Sequence, residues 1–112
     1  MSDVIDLAHL ARYTGGEKAM NAEILRLFDG QISEMVGQLR SVIAARDAKR
    51  WKEITHTIKG AARGVGAFSF GDAAAAAEPV DPANAERASQ AISRLSEEAM
   101  AVHDFIRRYL AA

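Results

Sequence analysis

The sequence predicts an all-α fold, an antiparallel four-helix bundle with an additional short N-terminal helix. Three observations carry that prediction. Apolar residues recur three and four positions apart in several stretches, the spacing of a helix with one buried face. No stretch alternates apolar and polar residues as a half-buried strand would, and no Asn-Gly hairpin occurs. Glycine, proline and capping residues punctuate the periodic stretches at intervals that suit antiparallel neighbours joined by short loops. The 112 residues fit a single domain, 1–112, with one core and little length for a second.

Residues 4–13 read as a short opening helix with Asp6 or Ser2 available as N-cap, stopped by Thr14-Gly15-Gly16. The next helix spans about 17–46, with Ile24, Phe28, Met35, Leu39 and Val42 on its seam. Gly30 and Gly37 weaken it, and a bend or a break near Gly30 is the open question. Asp47 caps a third helix that runs to Gly66, a residue suited to the left-handed conformation that ends helices. Ser69 with Asp72 resembles the start of a fourth helix over 71–78, rich in alanine and stopped by Pro79. Asp81 as N-cap and Pro82 at the first helical position open the last helix, which runs to about Leu110. It buries Ala88, Ile92, Leu95, Ala99, Val102, Ile106 and Tyr109 or Leu110.

The third helix carries the feature that matters for function. An α-helix advances about 100° per residue, so Trp51, Ile54, Ile58, Ala61 and Val65 form one apolar stripe. His56 falls on nearly the opposite meridian, with Lys52, Glu53, Lys59, Gly60 and Arg63 within about 60° of it. His56 therefore points at solvent. Gly60 and Gly64 each cost the helix roughly 1 kcal/mol relative to alanine, and they sit on or beside the histidine's face rather than the core seam. Bare backbone beside an exposed imidazole is a place for another macromolecule to approach. The cations Lys52, Lys59 and Arg63 on that face favour the neutral ring, which is the nucleophilic form, and would stabilise an anion attached to it. Lys59 is the best placed of them to hold phosphoryl charge.

His56-Thr57-Ile58-Lys59-Gly60-Ala61-Ala62, followed by Val65-Gly66, closely resembles the signature of histidine-containing phosphotransfer (HPt) domains of bacterial two-component phosphorelays. Two departures are small: Thr55 stands where the family often has a small apolar residue, and Arg63 adds a positive charge. The short opening helix with its glycine-rich turn is also similar to many such domains. The resemblance implies that His56 accepts a phosphoryl group at its outer ring nitrogen from one receiver-domain aspartate and passes it to another. It implies a response-regulator receiver domain and a hybrid histidine kinase as partners. It also implies that the domain has no cofactor of its own, Mg²⁺ and most catalytic groups being supplied by the receiver. In that reading Lys59 stabilises phosphoryl charge, Gly60 and Gly64 clear the approach, and Lys52 and Arg63 steer an acidic partner surface. Phe68, at the helix end, is a candidate apolar docking contact.

Other classes fit less well. A formal net charge of −1 gives no general attraction to nucleic acid or an anionic membrane. There is no cysteine for a disulfide or thiolate metal site, and His9, His56 and His103 lack ligand spacing. No P-loop or glycine-rich ATP lid is present, so autokinase activity is not expected. The acidic start, Met1 to Asp6, lacks the basic and apolar regions of a signal peptide, and a cytoplasmic monomer is expected. Two alternatives are an adaptor that binds receivers without carrying phosphate and the dimerisation and phosphoacceptor domain of a sensor kinase. The latter is a helical hairpin completed by a second chain, whereas this chain has helices enough to close its own bundle.

Overall fold

A computed structural model describes residues 3–112 as five helices: α1 (Leu7–Thr14), α2 (Lys18–Ala45), α3 (Ala48–Val65), α4 (Phe68–Ala77) and α5 (Ala85–Ala111). Ser2, the alternative first cap, lies outside the described residues. Asp6 takes the role, its side chain accepting from the His9 amide at 3.1 Å. Asp47 likewise accepts from the Arg50 amide at 3.0 Å and starts α3. No break occurs at Gly30: α2 is one helix through both of its glycines and ends at Arg46.

Helices α2, α3, α4 and α5 form a ring in which each packs on its two neighbours, α2 on α3, α3 on α4, α4 on α5 and α5 on α2. Helix α1 lies against α2 and α3. The core is made of Leu25, Phe28, Ile32 and Leu39 from α2, Trp51, Ile54, Ile58 and Ala62 from α3, Phe70, Ala73, Ala74 and Ala77 from α4, and Ala88, Ile92, Leu95, Val102 and Ile106 from α5. Small alanines let α4 sit close to both neighbours, and its ten residues make it the short side of the ring. Among the described residues no helix is long and apolar enough to cross a membrane.

Three local expectations are corrected. Phe28, Leu39, Val42, Trp51, Ile54, Ile58 and Val65 are buried on the seams of α2 and α3 as expected, but at three places the next residue is the buried one: Leu25, Val36 and Ala62 are buried while Ile24, Met35 and Ala61 are only partly covered. Helix α4 starts at Phe68, before the Ser69 and Asp72 pair, and Ser69 instead donates to Glu98 of α5 at 2.9 Å. Helix α5 starts three residues later than Asp81 and Pro82 suggested. Asn84 caps it, accepting from the Arg87 amide at 3.2 Å, while Asp81 accepts from the Ala83 amide to make a separate turn and Pro82 is buried.

The end of α3 is fixed from outside. Gly66 adopts φ +89°, and its carbonyl accepts from the Asp6 amide at 3.0 Å. A Cβ on Gly66 would lie 2.7 Å from the Asp6 carbonyl oxygen, so both its dihedral and its neighbour require glycine. Ile5, fully buried, anchors the same N-terminal segment.

Candidate functional site

Thr55 and His56 are adjacent in sequence and opposite in environment. Thr55 is fully buried, and its hydroxyl donates to the Trp51 carbonyl at 2.9 Å, with the Lys52 carbonyl at 3.2 Å. Back-bonding to its own helix is how a polar residue occupies a place where a small apolar one would serve. His56 faces outward with its side chain 68% exposed, as the helical geometry predicted.

The ring is not alone. Glu78, the residue after the last turn of α4, places Oε1 at 3.0 Å from His56 Nδ1 and Oε2 at 2.7 Å from Lys59 Nζ. One carboxylate thus joins the histidine and the lysine. The Lys59 ammonium is the main reason that the Glu78 carboxyl lies below the usual glutamate range, and His56 adds to it, while partial burial works in the opposite sense. The nearest charge to the imidazole is therefore an anion, and the expectation that the α3 cations dominate its surroundings is corrected. Sequence reasoning missed Glu78 because it weighed only the residues that share a helix with His56.

What places Glu78 is the pairing of α3 with α4. The two run antiparallel from the turn at Gly66-Ala67, and the Trp51 indole Nε1 donates to the Ala77 carbonyl at 2.8 Å. Trp51 is one turn before Thr55 and His56 on the α3 seam, so this bond sets the end of α4 at the height of the imidazole.

The remaining predicted residues fall into two groups. Gly60 and Gly64 are exposed on α3, and a Cβ built on either meets nothing within 4 Å. Internal packing therefore does not require glycine at either position. Lys52 lines an open recess of about 470 Å³ with Lys49, Glu53, His56 and Glu78. Arg63 reaches towards Asp72 of α4 across an exposed 3.8 Å pair, which is worth little. Phe68 is exposed but stands at the far end of α3, on the order of 15 Å along the axis from His56, and packs edge-on to the His9 ring at 5.0 Å. The structure does not bring it to the imidazole. His103 Nδ1 pairs with Asp29 at 2.9 Å, linking α5 to α2 away from this site.

Comparison with curated proteins and with solved structures gave no match. The family model described as Hpt domain matches residues 23–109. That span runs from the first turns of α2 to the last turns of α5 and takes in the whole helical ring, the exposed His56 and the Lys59 and Glu78 groups beside it. With most of its length matched, and with the helical bundle and outward imidazole in place, the chain belongs to the Hpt domain family.

Proposed function

We propose that the chain is a phosphorelay intermediate in which His56 takes a phosphoryl group from the aspartate of one receiver domain and gives it to the aspartate of another. Membership of the Hpt family carries histidine phosphotransfer in two-component phosphorelays, with receiver and kinase domains as the interacting partners. The observation that supports His56 as the acceptor is the division of its ring. Nδ1 is engaged by Glu78, no described residue bonds Nε2, and the side chain is mostly exposed. The Nε2 lone pair would form the P–N bond as the P–O bond to the donor aspartate breaks, its electrons leaving on that carboxylate. Mg²⁺ belongs to the receiver in this reading.

The docking surface follows from the helix pairing. Gln38 of α2 bonds Arg50 of α3 at 3.4 Å, so this face of α2 borders α3. Eleven residues earlier on α2, about three turns and nearly the same face, stands Leu27, 63% exposed. Eleven residues later on the antiparallel α3 is Ala61, beside Gly60. Counted along the two antiparallel helices, exposed Leu27 falls level with Ala61 and the bare backbone of Gly60, which supports an apolar partner surface there, with Lys52 and Arg63 at its charged edge. Leu27 replaces Phe68 as the apolar contact.

Label from a phosphorylated receiver or hybrid kinase should move onto the wild type and not onto His56→Gln, and should be acid-labile and base-stable. Absence of transfer from a panel of competent donors, with retained receiver binding, would favour the adaptor reading. The ring of four helices closed within one chain does not support the dimerised hairpin of a sensor kinase.

A further inference from the structure

The seam between α4 and α5 lies across the ring from the seam between α2 and α3, since each of these helices packs on its ring neighbours and none packs across. Its outer side holds two open recesses of about 310 and 250 Å³. Ala76, Val80 and Arg87 line both, so the two form one groove running from the loop before α5 to Arg94. The base is apolar: Ala73 and Ala77 are buried there, and Val80 and Ala91 are half-buried. The α5 rim is basic. Arg87 and Arg94 are exposed, and neither guanidinium has an acidic partner or a hydrogen-bond acceptor among the described residues. Their seven-residue spacing is two turns of helix, about 10 Å along the axis and about 20° of rotation, so both lie on one face. Among the described residues that line the groove the one carboxylate is Asp81, which stands at the far end and accepts from the Ala83 amide. The groove therefore combines an apolar floor with positive charge that the chain does not neutralise.

We propose that this groove docks an acidic amphipathic helix of a partner protein, on a face separate from the one that meets receiver domains. Two helices form its walls, and the ridge of a third packs naturally into such a groove. An amphipathic helix also repeats at the same seven-residue interval as the two arginines. Carboxylates at positions i and i+7 of the partner reach both guanidiniums, whose planar forks suit a carboxylate bidentately. Apolar residues on the adjoining face of the partner fill the recesses, as in other helix-in-groove complexes. Charge complementarity sets the orientation and the rate of encounter, while the apolar floor supplies the contact area. Helix α4 stands between this groove and α3, so the bound partner can stay in place while receivers come and go at His56. The docking itself does not depend on whether His56 carries phosphate.

The probe is a synthetic helical peptide of about 18 residues, five turns, with glutamates seven apart and leucine and alanine on the adjoining face. A scrambled peptide of the same composition and a peptide with lysine in place of each glutamate serve as controls. Each is titrated into the ¹⁵N-labelled full chain. Amide shifts should cluster at Ala76, Val80, Gln90 and Ala91 and leave Leu27 and Gly60 unmoved. The variant Arg87→Glu/Arg94→Glu, altered only at exposed positions and so expected to fold normally, should bind the glutamate peptide at least about tenfold more weakly. It should bind the lysine peptide better than wild type does. No shift along the groove up to about 1 mM peptide, equal affinity for the scrambled peptide, or indifference to the charge reversal would overturn the proposal. So would shifts centred on α2 and α3. Wild type saturated with the peptide should still take phosphoryl label from a receiver at a rate within about twofold of the free protein. A block would show that the two faces are one. The titration needs no phosphoryl donor, so a failure of His56 to accept phosphate is distinguishable from a failure of the groove to bind.

Discussion

The indole Nε1–H of Trp51 donates to the main-chain carbonyl of Ala77 at 2.8 Å, and the next residue after that carbonyl is Glu78. A fully buried ring at the start of α3 thus determines where α4 delivers the carboxylate that His56 and Lys59 share.

Trp51→Phe keeps an aromatic ring in the core and removes the donor, leaving a buried carbonyl without its partner. The expected cost is about 1–3 kcal/mol, read as a lower midpoint in urea denaturation with an unchanged slope. Phosphoryl transfer should slow as well, because the end of α4 loses its fixed height. A variant with reduced stability and wild-type transfer would show that Glu78 is held by other means.

Gly60 and Gly66 should respond in opposite directions to the same substitution. Gly60→Ala places a methyl group in open space on a regular helix and should stabilise the fold by roughly 1 kcal/mol, while Gly60→Glu should impair receiver binding and transfer. Gly66→Ala places its methyl group against the Asp6 carbonyl at a positive φ and should destabilise by about 1–3 kcal/mol. Thermal denaturation of the two alanine variants side by side checks the sign of each.

His56→Gln should leave stability within about 0.5 kcal/mol of wild type while abolishing acceptance of phosphate, since the ring is exposed and Glu78 retains Lys59. Equilibrium unfolding beside the labelling experiment measures both. A large loss of stability would mean that the imidazole is a structural strut between α3 and α4.

Acid should weaken the fold partly through Glu78. Its folded pKa is lowered from the ordinary glutamate value of 4.5, chiefly by Lys59, so its contribution is fully present above that value and is lost as the pH falls through the lower folded value. Unfolding free energies of wild type and Glu78→Gln should therefore converge as the pH drops below about 4.5. Curves that stay parallel through this range would contradict a stabilising pairing.

The outward face of α3 was legible because a single helix dictates it: the apolar stripe from Trp51 to Val65 leaves His56, Lys59, Gly60 and Gly64 nowhere else to point. The caps Asp6 and Asp47 were legible for the same local reason. Asn84 was not, because Asp81 and Pro82 make an equally good local signal and only the burial of Pro82 decides between them. Glu78 required a second helix to be placed. Yet a clue was present, since His56 and Glu78 stand eleven residues before and eleven after Ala67, as an antiparallel hairpin turning there would pair them.

That symmetry about Ala67 bears on how the protein acquires its chemistry during folding. The hydrogen bonds among His56, Lys59 and Glu78 join positions no more than 22 apart in the chain, so closing the intervening segment costs little entropy compared with docking α5 on α2. His56 and its anchors can come together as one αα-hairpin, with the two long helices supplying the stability that keeps it closed. Sequence drift along the outer faces of α2 and α5 can then alter which partners are met while leaving the reactive group in its setting.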